Sequence, residues 1–205
     1  VLKTDGSGTL SWTANSGASN ITGLSDALIE SNSMYIGNDP SGTTSTAEYN
    51  LAVGTTALDA ITTGDKNTGV GYNALTGVTS GSWNTAVGHE AGKAMTTGAD
   101  NTAIGLSAGA AITTGTRNIA IGGVALDNVD SENDNLAIGY AALGGAIDGG
   151  ELNVAIGNYS LDALTTGDRN VGVGYMSLSA NTTGYYNTAT GVNALKRNTT
   201  GYLNV

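Results

Sequence analysis

An Asn-x-Ala/Gly-Val/Ile-Gly phrase returns every seventeen residues through most of this chain, and a short fixed period confines the fold to architectures in which each unit packs on its neighbours. Counted from its asparagine as position 1, the phrase starts at Asn50, Asn67, Asn84, Asn101, Asn118, Asn135, Asn153, Asn170 and Asn187. Every interval is seventeen except Asn135 to Asn153, which is one residue longer. A degenerate copy, Ser33-Met34-Tyr35-Ile36-Gly37, precedes them, and a broken one starts at Asn204. The frame predicts about ten coils over residues 33–205, continuing past Val205, with residues 1–32 as a leading segment outside the repeat. In that segment Gly6 to Trp12 reads as a turn into a short strand, and Leu24 to Glu30 as a brief helix or strand.

Stacking the copies separates fixed from drifting chemistry. Position 4 is Val53, Val70, Val87, Ile104, Ile121, Ile138, Ile156 and Val173, β-branched residues suited to a pleated strand. Position 9 is usually Leu, and position 12 is often aliphatic (Ile61, Val78, Met95, Ile112, Val129, Leu164). The expected fold is all-β, a parallel β-solenoid whose protomer core is built from the position 4 residues with positions 9 and 12. Alternate strand residues face opposite sides, so positions 3 and 5 point away from position 4. These are small: Ala52 and Gly54, Ala86 and Gly88, Ala103 and Gly105, Ala120 and Gly122, Ala137 and Gly139, Ala155 and Gly157. A face with almost no side chain admits another backbone closely. It is therefore expected to face an oligomer axis, with a homotrimer as the simplest closed arrangement for a fibre.

Corner chemistry fits the same period. A Thr-Thr-Gly or near equivalent occupies positions 13 to 15, as in Thr62-Thr63-Gly64 and Thr96-Thr97-Gly98, and Gly allows the positive φ of tight turns. The stacked asparagines are expected to form an internal amide ladder. At about 4.8 Å per strand, ten coils make a rod on the order of 50 Å.

Glycine is 32 of 205 residues, a level that without periodicity would indicate low complexity. Here the glycines hold set places in the repeat. A net charge of −10 without a basic cluster argues against a nucleic-acid partner. No apolar run reaches the roughly 18 residues of a membrane-spanning helix, so no membrane insertion of this segment is expected. The absence of Cys removes disulfides and thiolate metal sites.

Few residues offer chemistry. Gly105-Leu106-Ser107-Ala108-Gly109 has the spacing of an esterase nucleophile elbow, but that motif needs a strand-turn-helix context and a His partner. The single histidine, His89, lies one coil earlier at a variable position. No catalytic residue, cofactor or enzyme activity is expected. Tyr72, Tyr140 and Tyr175 share position 6 with His89, and exposed rings of this kind can contact a host cell-surface glycan or protein. Asp127, Asp130, Glu132, Asp134, Asp148 and Glu151 crowd the stretch where one corner loses Thr-Thr-Gly and one coil gains a residue. The stretch reads first as a solvated acidic loop, and the alternative is that oxygen ligands on adjacent coils hold Ca²⁺.

Runs such as Asn84-Thr85-Ala86-Val87-Gly88 and Asn181-Thr182-Thr183-Gly184-Tyr185-Tyr186-Asn187 resemble repeats of bacteriophage tail fibres and tailspikes that end in a self-cleaving intramolecular chaperone domain. They are also similar to the head repeats of trimeric autotransporter adhesins, which form left-handed parallel β-rolls in homotrimers. The Ala-Leu at positions 8 and 9, the seventeen-residue period and the Lys3 to Trp12 stretch look more like the phage branch. The resemblance implies a structural and adhesive virion segment that presents a host-receptor-binding tip. The alternative is a bacterial surface adhesin, extracellular, and a remoter one is an ice-binding solenoid displaying stacked threonines.

Overall fold

The computed structural model describes residues 2–4, 10–12, 27–37 and 40–205. Most of the leading segment, including Gly6 to Thr9 and Leu24 to Asp26, lies outside the described residues. Strands β1 (Leu2–Thr4) and β2 (Leu10–Trp12) pair antiparallel, Leu2 opposite Trp12. Strand β3 (Ala27–Glu30) pairs antiparallel with β4 (Ser33–Ile36). From β4 onward each coil adds one parallel strand to a single sheet: β5 (Leu51–Val53), β6 (Thr68–Val70), β7 (Thr85–Val87), β8 (Thr102–Ile104), β9 (Ile119–Ile121), β10 (Leu136–Ile138), β11 (Val154–Ile156), β12 (Val171–Val173) and β13 (Thr188–Thr190). The chain is a parallel β-solenoid, and the degenerate copy at Ser33 is its first coil, since Met34 pairs with Leu51 in the common register. Equal positions stack throughout, for example Ala103 on Ala120, and the longer sixth coil keeps this register, with Ala137 beside Ala155.

Register is held from inside by the asparagines. The Asn67 side chain donates to the Gly81 carbonyl at 2.9 Å and to Asn50 Oδ1 at 3.1 Å, while Asn50 Oδ1 also accepts from the Asn67 backbone N–H at 2.8 Å. The pattern recurs at Asn84 and Asn101 and again at Asn170 and Asn187. In the first coil Ser33 Oγ takes the same part, accepting from the Asn50 N–H at 2.9 Å. All nine asparagines are buried, so each amide satisfies polar groups that water cannot reach. The Thr-Thr-Gly corner adds a second rivet. The Thr79 carbonyl accepts from the N–H groups of Thr62, Thr63 and Gly64, and from Thr62 Oγ1 at 2.8 Å.

The two strand faces are the reverse of the sequence expectation. Ala52, Ala86, Ala103, Ala120, Ala137 and Ala155 are fully buried inside the coil, packed with positions 8, 9 and 12. The position 4 residues expected as protomer core, Val53, Val70, Val87, Ile104, Ile121, Ile138, Ile156 and Val173, point outward; Val87 and Ile104 are each 38% exposed. The cause is the narrow coil. A Cβ placed on Gly69 at position 3 would already stand 3.5 Å from Leu58 Cγ and 3.1 Å from the Ala74 carbonyl. There is room for a methyl group opposite the leucines and for nothing larger. Tyr35, at position 3 of the first coil, is the exception, fully buried in a coil whose sequence has Ser41 and Thr44 in place of the leucine and the aliphatic residue.

The glycines assigned to an oligomer axis, Gly54, Gly88, Gly105, Gly122, Gly139 and Gly157, instead meet the next coil of the same chain. A Cβ on Gly54 or on Gly105 would lie 2.6 Å from the carbonyl oxygen of Gly71 or of Gly122. With φ of 136° and 134° at these two positions, only glycine fits without strain. Positions 9 and 12 are core as expected, with Leu58, Leu75, Leu126, Leu143, Leu161 and Leu178 fully buried. These leucines hold φ between 50° and 54°, a backbone conformation tolerated because each is packed on all sides. Gly92 and Gly109 replace Leu at position 9; a Cβ there would approach Met95 Cε or Ile112 Cδ1 at 3.0 Å, so the larger position 12 residue fills the volume.

Asn84→Ala removes the donor to the Gly98 carbonyl and the acceptor of the Asn101 N–H. It is expected to lose about 2–4 kcal/mol of unfolding free energy, measured as a fall in the urea midpoint. Ala103→Val adds volume to the filled interior and is expected to cost about 1–3 kcal/mol, more than Ile104→Val on the outward side. The opposite ranking would return position 4 to the core.

Candidate functional site

Turning position 4 outward gives the solenoid a surface that sequence periodicity assigned to its interior. Positions 2 and 4 of β5 to β13 form two parallel columns on the exposed face of the sheet, and most of their residues are Val, Ile, Leu or Thr. The middle is the most apolar, with Ile119 and Ile121, Leu136 and Ile138, Val154 and Ile156 on successive coils. Ile119 is 37% exposed. Such side chains stack well along a sheet, yet the strip they make is continuous and faces solvent on a single chain, which is uncommon for a soluble monomer.

Each edge of the strip carries a column of larger side chains. On one side lies position 6, which emerges after the positive-φ glycine of position 5. Tyr72, Tyr140 and Tyr175 are all exposed there, as their variable position in the repeat predicts. The structure brings Tyr140 and Tyr175 together through Tyr159, which stands edge-on to both with centroids 5.6 and 6.2 Å away. Tyr72 stacks instead on His89, 5.1 Å distant. Tyr159 was not singled out from the sequence because it occupies position 7, where no other copy carries an aromatic residue. Ser107 has φ of 51° in a turn with no helix after it, so the Gly105 to Gly109 spacing is that of the repeat.

On the other edge is position 17, the residue before each asparagine, always in a left-handed conformation: Lys66 φ 58°, Trp83 58°, Arg117 57°, Asp134 60°, Arg169 55°. Three of these are cations, and each meets a complementary side chain one coil on. Lys66 Nζ lies 5.1 Å from the Trp83 ring centroid, and the Arg169 guanidinium 5.4 Å from that of Tyr186. Arg117 grips Asp134 with two hydrogen bonds of 2.7 and 2.8 Å. This column was legible only by tabulating the position before Asn, where no single residue type recurs.

The acidic stretch takes separate partners. The Arg117 guanidinium holds the Asp134 carboxyl below its ordinary range. Glu151 accepts from Asn133 Nδ2 at 2.7 Å, Asp130 accepts from the Thr113 hydroxyl, and Asp127 accepts from Asn128. Asp148 is exposed. Glu132 stands where other coils have the corner glycine and is buried. Its carboxylate accepts from the N–H groups of Asp130, Ser131 and Gly149 at 3.0, 3.0 and 2.9 Å. It thereby supplies the inter-coil bond that a carbonyl makes at regular corners. Among the described residues no group of three His, Cys, Asp or Glu side chains converges as a metal-ion site, and no helix is long and apolar enough to cross a membrane.

Burial pushes the Asp127 and Asp162 carboxyls above their ordinary values, and Asp162 Oδ1 is buried without a hydrogen-bond partner. A carboxyl raised in the folded state favours folding at low pH, and that contribution is lost as pH rises through the folded value. Asp162→Ala is therefore expected to match or exceed the wild-type Tm at about pH 7, its advantage shrinking as pH falls toward about 4. Thermal melts across that series check this; a deficit that grows with pH would contradict it.

No protein-family model, no curated protein and no solved structure matches the chain.

Proposed function

We propose that this chain is a structural and adhesive segment of a homotrimeric fibre, a left-handed β-roll in a phage tail fibre or other virion appendage that carries a host-receptor-binding tip. The outward apolar strip of positions 2 and 4 supports this reading most directly. It runs the length of the solenoid without a charged residue from β5 to β13, and three copies turned about an axis parallel to the rod would bury it. The trimer contact thus belongs to Val53, Val70, Val87, Ile104, Ile121, Ile138, Ile156 and Val173 rather than to the alanines and glycines. The task is mechanical: every coil is bonded to the next by the sheet, the asparagine ladder and the corner carbonyls, so load along the rod is shared over many parallel hydrogen bonds. On this reading the chain performs no catalysis, and any glycan or protein of the host is met by loops away from the strip.

Sedimentation equilibrium is expected to give a trimer, and a stable monomer at micromolar concentration would refute the proposal. Ile138→Lys places a charge at the middle of the strip, on the outer face of the coil, and is expected to shift the protein to monomers while leaving its β-rich circular dichroism unchanged. Antibodies raised against the chain should decorate appendages of intact virions. Labelling confined to a bacterial surface would replace the virion by the adhesin alternative.

A further inference from the structure

The two columns that border the apolar strip differ from each other, and the difference selects a partner. Position 17 carries the cations Lys66, Arg117 and Arg169, together with Asp134. Position 6 carries the tyrosines Tyr72, Tyr140 and Tyr175. Within a coil the two columns sit at opposite ends of the strand, position 17 before it and position 6 after it.

Rotation about an axis parallel to the rod keeps every coil at its own level and turns the start-of-strand edge of one copy toward the end-of-strand edge of the next. The facing pairs then come from the same coil: Lys66 with Tyr72, Asp134 with Tyr140, Arg169 with Tyr175. Lys66 and Arg169 each meet a tyrosine face, and the carboxylate meets a phenol that can donate to it. Arg117, already bound to Asp134 of its own chain, meets Gly123, the smallest residue in its column. An offset of one coil breaks all three, setting Lys66 against His89, Asp134 against Asn158 and Arg169 against Val192, and returns a single cation–tyrosine pair, Arg117 with Tyr140.

We propose that the rims of the strip are an interchain seam that locks a second copy of this chain parallel and in exact coil register, with position 17 of one protomer seated on position 6 of its neighbour. This rests on the trimer reading above and deepens it, since the apolar strip alone does not distinguish a level, closed trimer from a staggered association that never closes. Its position 4 column repeats so closely that a slip of one coil exchanges Val53 for Val70, Val87 for Ile104 or Ile104 for Ile121, and position 2 trades only apolar and threonine side chains. Size points the same way. A strip roughly 40 Å long and 12 Å wide offers about 500 Å² per chain, short of the roughly 800 Å² per partner of a stable interface. Including both rims widens it to about 20 Å and closes that gap. The cations are placed for it: Lys66 and Arg169 are exposed, each resting on an aromatic ring of its own chain on one side and open to a second ring on the other.

The chain has no cysteine, so disulfides report engineered positions alone. Lys66→Cys with Tyr72→Cys places both thiols on one coil but six residues apart across a strand. That is roughly 15–20 Å, beyond the reach of a disulfide within one chain. Oxidation of the assembled protein is expected to give covalent trimers on a non-reducing gel, and Arg169→Cys with Tyr175→Cys the same. The offset pair Lys66→Cys with Tyr140→Cys, four coils or about 19 Å apart along the rod, is expected to give none. A protein that sediments as a trimer but whose same-coil pairs do not cross-link, or cross-link no better than the offset pair, would overturn the seam and leave the trimer standing. A monomer would defeat both. Independently of the thiols, Lys66→Glu with Arg169→Glu, at two exposed positions, is expected to weaken association about tenfold or more; unchanged association would overturn the seam.

Discussion

The narrowness of the coil governs everything else in this structure. Seventeen residues that must turn back on themselves around one three-residue strand leave an interior a single layer of side chains deep. Leucine from position 9 and an aliphatic residue from position 12 fill it from one side, so the strand can offer only Ala or Gly from the other. What remains of the interior is polar, because a chain that turns this often leaves backbone groups without partners in its own coil. The asparagine amide solves that problem. It donates to the corner carbonyl fourteen residues on and accepts from the next coil's backbone, which explains why its spacing is the most regular feature of the chain.

The period, the parallel stacking, the leucine column and the amide ladder were all legible in the sequence, because each follows from a residue that recurs at one place. Which strand face is the inner one was not. Alternation states that positions 3 and 4 point apart and gives no sign for either. The usual sign, that larger apolar residues go inside, holds for interiors with room to fill. Here it fails because space rather than hydrophobicity limits the inner face. The informative comparison was available in Leu58 and its equivalents: a buried leucine in every second or third of the coil's few interior places already accounts for the volume. The surface columns divide in the same way. Tyr72, Tyr140 and Tyr175 were visible as a column, while position 17 was hidden because Lys, Trp, Asp, Arg, Leu and Tyr alternate there, and its order emerges only in pairs between coils.

The irregular coil around residues 127–153 shows what the architecture tolerates. Its corner loses the Thr-Thr-Gly whose three N–H groups converge on one carbonyl elsewhere, and an added residue lengthens the next turn. Neither change disturbs the sheet, since β10 and β11 keep the common register. Glu132 makes this possible by bringing its own acceptor into the corner, a carboxylate reaching the backbone groups that a displaced carbonyl no longer meets. Acidic residues that read as a cluster in one dimension are thus spent on different tasks in three: Asp134 on an ion pair across coils, Glu132 on the backbone, Glu151 on an asparagine.

A solenoid of this thinness meets a constraint that thicker ones escape. Each coil buries about four side chains, and contacts run only to the coils above and below, so stability grows with length while the surface of every coil remains largely exposed. Placing the β-branched residues outside is costly for an isolated chain, which must carry an apolar strip in water. It is favourable for a bundle, where the same residues become a second core shared between copies. The repeat therefore has two apolar faces of opposite character: an enclosed one lined with Ala, Leu and Asn that admits nothing further, and an outward one of Val and Ile that the proposed trimer would enclose. The sequence variation is distributed accordingly. From the second coil on, positions 3 and 8 of the interior stay among Ala, Gly and Ser, the strip changes only among apolar and threonine side chains, and the rims change freely from coil to coil, as the proposed register seam would need.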